Sequence, residues 1–266
     1  MIKKSVLTRF ILAFVSAMLL AGCGTSQLAN SSNELPTSSD QTDNQKRARI
    51  RLQLAVGYYE QRQMQVALDE IKQALLADPN FAEAYSMRAL IYMEMGEIRL
   101  VEDNFLHALR IAPNSPDFNN NYGWFLCQNG RERQSIAYFE TALKSRTYQS
   151  PAKALNNAGI CSLKIKDRTA AERYFSQAFQ YDPSNPSTNI NLAKIYFDQR
   201  DYERSRFYIT RVMRAEVMTP DVLWLAIKIE RKLGDRAAEA SLVTQLRRRH
   251  GGSAEFAAYQ RGAFDE

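Results

Sequence analysis

The sequence predicts an all-α rod of stacked helix pairs, on three observations. Residue types recur with a 34-residue period, small and large apolar residues alternate at fixed places within it, and helix breakers are few, with 11 Gly and 8 Pro in 266 residues. A period of that length holds one helix-turn-helix unit, which cannot cover its own apolar face and must stack on its neighbours.

Six registers begin at Ala48, Ala82, Pro116, Ala152, Pro186 and Pro220, with a two-residue slip at Ser150-Pro151. Numbered from each start, position 8 is small in five units, Ala55, Ala89, Gly123, Gly159 and Ala193, and becomes Ile227 in the last. Position 24 is Ile71, Phe105, Phe139, Phe175, Ile209 and Val243, and position 27 is Ala74, Ala108, Ala142, Ala178, Val212 and Leu246. Big beside small is a packing code for adjacent antiparallel helices. Pro79, Pro113 and Pro183 end second helices, because proline lacks the N–H that would continue them. The pattern is that of a tetratricopeptide-repeat (TPR) superhelix of six helix-turn-helix pairs over residues 46–266. The last helix is expected over Ala237 to Arg249, with the Arg247-Arg248-Arg249-His250 run complementing the helix dipole and Gly251 as its cap. That run reads as a helix stop. Nucleic acid would require aromatic stacking residues interleaved with the bases, and none are there.

Two segments precede the rod. Residues 1–22 have Lys3, Lys4 and Arg9 ahead of an apolar run, Ile11 to Leu20, too short to span a bilayer, which is the build of a signal peptide. The run ends Leu20-Ala21-Gly22-Cys23, which resembles the lipobox of bacterial lipoproteins, so Cys23 is expected to carry the lipid. Gly24 follows, not the Asp that resembles an inner-membrane retention signal, so the expected location is the periplasmic face of the outer membrane. Residues 23–45, rich in Ser, Thr, Asn, Gln and Asp, lack apolar periodicity and read as a flexible tether. Loss of the signal lowers the formal charge from +6 to +3, too little to imply nucleic acid.

In such a superhelix the first helices line the inner groove, and positions 2, 5, 6, 9, 12 and 13 fall on one stripe. Positions 9 and 12 are apolar through four units, including Tyr59, Met93, Trp124 and Leu163, and turn polar at Lys194, Lys228 and Arg231. Asn121, Asn157 and Asn191 share position 6, with Asn120 and Asn156 beside them at position 5. An amide both donates and accepts, so this ladder suits the backbone of a peptide whose side chains enter the apolar positions. A protein is therefore the expected partner, not a small molecule.

Catalytic signatures are missing: there is no GxSxG, GxxxxGK[ST], HExxH or GxGxxG, and the two histidines, His107 and His250, lie apart. No enzyme activity, cofactor or metal site is expected. Cys127 and Cys161, at positions 12 and 10 of adjacent units, are expected to form a disulfide, since stacked helices can bring Cα atoms to the ~5.5–6 Å that a bridge requires and the periplasm is oxidising; the alternative is two buried thiols packed as small hydrophobes.

The runs Asn119-Asn120-Asn121-Tyr122-Gly123-Trp124-Phe125-Leu126-Cys127, Leu155-Asn156-Asn157-Ala158-Gly159-Ile160-Cys161 and Gly234-Asp235-Arg236 to Gln245-Leu246-Arg247 exceed generic repeat matching. They resemble the type IV pilus biogenesis and stability lipoproteins, the pilotins of the PilF/PilW family, from Cys23 to the C-terminus. The resemblance implies a six-TPR outer-membrane scaffold that helps the secretin, the pore for the pilus, to localise and multimerise. The alternative is a periplasmic TPR adaptor for a protease, a peptidoglycan enzyme or the β-barrel assembly machinery.

Overall fold

A computed structural model of the protein describes residues 40–264, and the signal segment, Cys23 and most of the tether lie outside the described residues. Among the described residues thirteen helices follow one another. Six pairs account for twelve: α1 (Asp43–Glu60) with α2 (Met64–Ala77), α3 (Ala82–Met95) with α4 (Ile98–Ile111), and α5 (Pro116–Gln128) with α6 (Glu132–Leu143). Then come α7 (Pro151–Lys164) with α8 (Arg168–Tyr181), α9 (Pro186–Asp198) with α10 (Tyr202–Arg214), and α11 (Pro220–Leu233) with α12 (Arg236–His250). A short α13 (Ala254–Arg261) closes the stack. The fold is an all-α TPR array.

Local chemistry sets the starts. Thr42 and Gln45 form a capping box at α1, so the first helix begins inside the stretch read as tether and residues 43–45 belong to the rod. Pro116, Pro151, Pro186 and Pro220 each occupy the first turn of a first helix, where the absent N–H costs nothing. Pro151 thus starts unit four one residue before Ala152. The slip is taken up in the preceding connection, where Tyr148 is buried against Ala142 and Ala154, its phenol pushed up to about 12 by burial and by the charge of Asp117. Gly251 caps the last repeat helix, as its place after the basic run predicts; its backbone is right-handed, and the chain turns through Ser253, which caps α13, whose own stop is the left-handed Gly262.

Position 15 of every unit is left-handed: Arg62 (φ 61°), Gly96 (79°), Gly130 (77°), Lys166 (63°), Arg200 (63°) and Gly234 (78°). The turn between the two helices of a pair is therefore the same six times, although glycine, which alone bears it without strain, fills it in only three.

Within each pair the big-and-small code operates as contact. A Cβ at Gly159 would meet the Phe175 ring at 2.7 Å, and one at Gly123 would meet Phe139 at 2.9 Å. Phe105, Phe139 and Phe175 are fully buried, each contributing roughly 1.5–3 kcal/mol relative to exposure. Between pairs, each second helix packs on the first helix of the next unit, and the first helices also meet as α1 with α3, α5 with α7 and α9 with α11. Neighbouring second helices make no comparable contact, so the first helices form the inner side. Polar ties join units as well: Glu102 accepts from the Tyr122 hydroxyl (2.7 Å) and from Arg131 (2.6 Å), and Glu140 accepts from Tyr174 (2.9 Å). The Arg131 bond holds the Glu102 carboxyl below the usual carboxylate range.

Candidate functional site

The inner stripe differs along its length. At the N-terminal end Tyr59 is half-buried, its phenol raised first by burial and then by Glu94, whose carboxylate also pairs with Arg62. Met93 is half-buried against the Ala89–Phe105 cluster. Both are wall residues with part of the side chain open to the groove.

In units three and four the expected amide ladder closes on itself. Asn120 is 1% exposed and Asn157 9%. Asn157 Nδ2 donates to Asn120 Oδ1 (3.0 Å), and Asn120 Nδ2 donates to Asn121 Oδ1 (3.2 Å). Two of the five amides are therefore withdrawn from the groove into a clasp between units. Asn156 accepts from Thr188 (3.1 Å), and Asn191 donates to the Ser187 carbonyl one turn back (2.8 Å), leaving both half-buried with part of their hydrogen-bonding capacity engaged. Trp124 is half-buried against the cluster of Cys127, Phe139 and Leu155. Beneath it the sulfurs of Cys127 and Cys161, both fully buried, lie 2.01 Å apart on Cα atoms separated by 5.9 Å. Lys164 reaches back across the same junction to the Cys127 carbonyl (3.0 Å).

Open volume lies farther along. Leu163 and Asn191 line a cleft of about 550 Å³ together with Lys166, Arg168, Lys194 and Asp198. Lys194 and Asp198 also line a larger cleft of about 780 Å³ between α9, α11 and the C-terminal segment, walled by Phe197, Trp224, Lys228, Lys232 and Phe264. The two clefts thus adjoin. Sequence reasoning picked out Lys194, Lys228 and Arg231 only as the place where the apolar stripe ends, and missed Phe197 and Trp224. The available signal was the stripe itself, since Phe197 is position 12 of unit five and Trp224 position 5 of unit six. Phe264 carried none, because it follows α13, which lies outside the repeat.

Among the described residues no group of three or more His, Cys, Asp and Glu could hold a metal ion, and no helix is long and apolar enough to cross a membrane. His107 stacks on Tyr85, its pKa held below the ordinary value by burial and by Arg110 and Arg88, and His250 bonds to the Met218 carbonyl (2.8 Å).

Tetratricopeptide-repeat family models match residues 82–115, 104–137 and 163–224. The chain is 27% identical over 252 residues to the type IV pilus assembly protein PilF of Pseudomonas aeruginosa, covering 95% of this chain and 98% of that one. A solved PilF structure superposes with a TM-score of 0.80 at 24% identity, over 83% of this chain and all of the other. The crystal structure of PilW, a widely conserved type IV pilus biogenesis factor, matches at 33% identity and a TM-score of 0.72, covering 80% of this chain and 98% of PilW. The chain belongs to the PilF/PilW family. It is a TPR scaffold of type IV pilus biogenesis.

Proposed function

We propose that the protein is a non-enzymatic, lipid-anchored pilotin. Cys23 carries the acyl chains, the anchor lies in the periplasmic leaflet of the outer membrane, residues from Gly24 to about Gln41 tether the rod, and the inner groove engages the type IV pilus secretin so that it localises and multimerises. The observation that carries this reading is the pair of adjoining clefts along units four to six of a PilF/PilW-family scaffold, which leave room for a segment of a partner protein. The lipobox supports the anchor. Each buried methylene of an acyl chain contributes ~0.8 kcal/mol, so several chains hold a protein at a membrane stably. A Cys127–Cys161 disulfide belongs to the same proposal, because an oxidising periplasm leaves two facing thiols bonded.

Deleting the gene and blotting for heat-stable secretin multimers tests the role, with loss of multimers expected. Multimers at wild-type abundance in the outer membrane would end the secretin assignment. In the same strain background Cys23→Ala should leave the rod soluble in the periplasm, and unchanged outer-membrane fractionation of that variant would end the anchor assignment.

A further inference from the structure

One ring of the chain itself already lies on the inner stripe. Phe264, which follows α13, stands 5.2 Å from the Trp224 ring and 5.9 Å, edge to face, from Tyr259, with the Arg231 guanidinium 3.9 Å from its centre. Trp224 and Arg231 are positions 5 and 12 of unit six, so this ring sits where a bound peptide would place a side chain. The walls do not depend on it. Trp224 is packed into the core at 9% exposure, and Arg231 is held by Glu239 at 2.9 Å. An indole and a fixed guanidinium offer contacts that an aromatic ring satisfies and an aliphatic side chain does not. The segment that carries Phe264 is lightly held: α13 buries no residue fully, Phe264 is half-buried, and its N–H bonds back only as far as the Gly262 carbonyl. Segments with so little burial open at small cost in free energy. Beside the ring the cleft of about 780 Å³ leaves room for a second chain. Charge does not choose what enters, because Lys194 pairs with Asp221 (3.8 Å) and Asp198 and Glu255 line the same walls.

We infer that Trp224, Arg231 and Tyr259 form an aromatic-binding subsite in which Phe264 is the resident occupant, and that a partner protein docks by seating an aromatic side chain of its own there in place of Phe264. The structure displays the chemistry of the ligand by showing what fills the site. Phe264 then acts as a plug: a partner finds the subsite open only for the fraction of time that the ring is out, and its apparent affinity falls by that fraction. The plug also sets a threshold, since a segment without a ring gains nothing from displacing it. The inference rests on the scaffold reading for the partner being a protein, and on the ring geometry for its chemistry.

The test uses the full chain in detergent micelles and two fluorescein-labelled synthetic peptides of zero net charge read by anisotropy, one with a central Phe and the other with Ala in its place. Phe264→Ala empties the subsite and should bind the Phe peptide at least about tenfold more tightly than the wild type does, with no gain for the Ala peptide. Phe264→Tyr keeps a ring in place and should stay within about twofold of the wild type. A second measurement leaves the packing of α13 intact. With 4-fluorophenylalanine in place of Phe264 in the otherwise wild-type chain, saturating Phe peptide should move the fluorine resonance toward its position in the unfolded chain, and the Ala peptide should not. Equal affinity of the wild type and Phe264→Ala for the Phe peptide, an equal gain for both peptides, or a fluorine resonance that the Phe peptide leaves in place would overturn the inference. The pilotin reading fails separately. Ring displacement with secretin multimers unaffected by gene deletion would end that reading and keep this one, and the converse would do the reverse.

Discussion

Units three and four and units five and six are built to one repeat code, yet they spend their polar groups in opposite ways. In the middle pair the amides bond each other, Lys164 reaches the Cys127 carbonyl, two sulfurs lie at bonding distance, and glycine admits a phenylalanine ring against each first helix. In the last two units the same inner positions hold Lys194, Phe197, Trp224 and Lys228 around an open cleft. The difference teaches that motif density and site location need not coincide. The residues most distinctive in sequence hold the rod together, and the surface with room for a ligand lies one to two units farther on.

If the middle is the stiff part, removing its bridge is the strongest way to erase the contrast. Cys127→Ala with Cys161→Ala reopens a loop of 34 residues' separation, which in the chain-entropy model costs about 4 kcal/mol. For a rod of this size the melting temperature should fall by about 8–16 °C, measured by circular dichroism under oxidising conditions. Reductant should lower the wild type by a similar amount and leave the variant unchanged. A variant that melts with the oxidised wild type would show that the middle units owe their order to packing alone.

Most of the fold was legible because steric positions repeat. Small residues at position 8 and large ones at position 24 face each other inside one unit, sixteen residues apart, so their meaning survives translation along the chain. The left-handed turn at position 15 was hidden because Arg62, Lys166 and Arg200 stand where Gly96, Gly130 and Gly234 would have announced it. Site residues were less legible for a different reason. Whether an inner amide faces a ligand or a neighbour depends on the offset between stacked first helices, and the Asn157–Asn120 bond joins position 6 of one unit to position 5 of the last, a pairing that no single-unit periodicity encodes.

That clasp gives a second, intermediate test. Asn157→Ala leaves Asn120 Oδ1 buried without its donor, at a cost of about 1–3 kcal/mol, whereas Asn191→Ala removes a bond within one helix turn and should change stability by no more than ~0.5 kcal/mol. Binding of the partner protein should be the same in the Asn157 variant as in the wild type. Lost affinity with an unchanged melting curve would restore Asn157 to the groove as a ligand contact and sharpen the site toward the middle units.

The smallest effect is also the most discriminating, because it has opposite signs in two measurements. Lys166 and Arg200 line the two clefts from turn positions at φ 63°, where a side chain is strained and glycine is not. Replacing both by Gly relieves that strain, partly offset by the greater freedom of glycine in the unfolded chain, for a net gain of about 0.5 kcal/mol per site. The melting temperature should rise by about 2–4 °C in the double variant. Binding of the partner protein should weaken by about two- to fivefold, since two long side chains leave the rim of the groove. Gly96, Gly130 and Gly234 establish that the turn itself tolerates glycine, so a fall in stability would have to come from contacts of the lost side chains. A rise in stability with unchanged binding would mean that the basic turns contribute nothing to the groove.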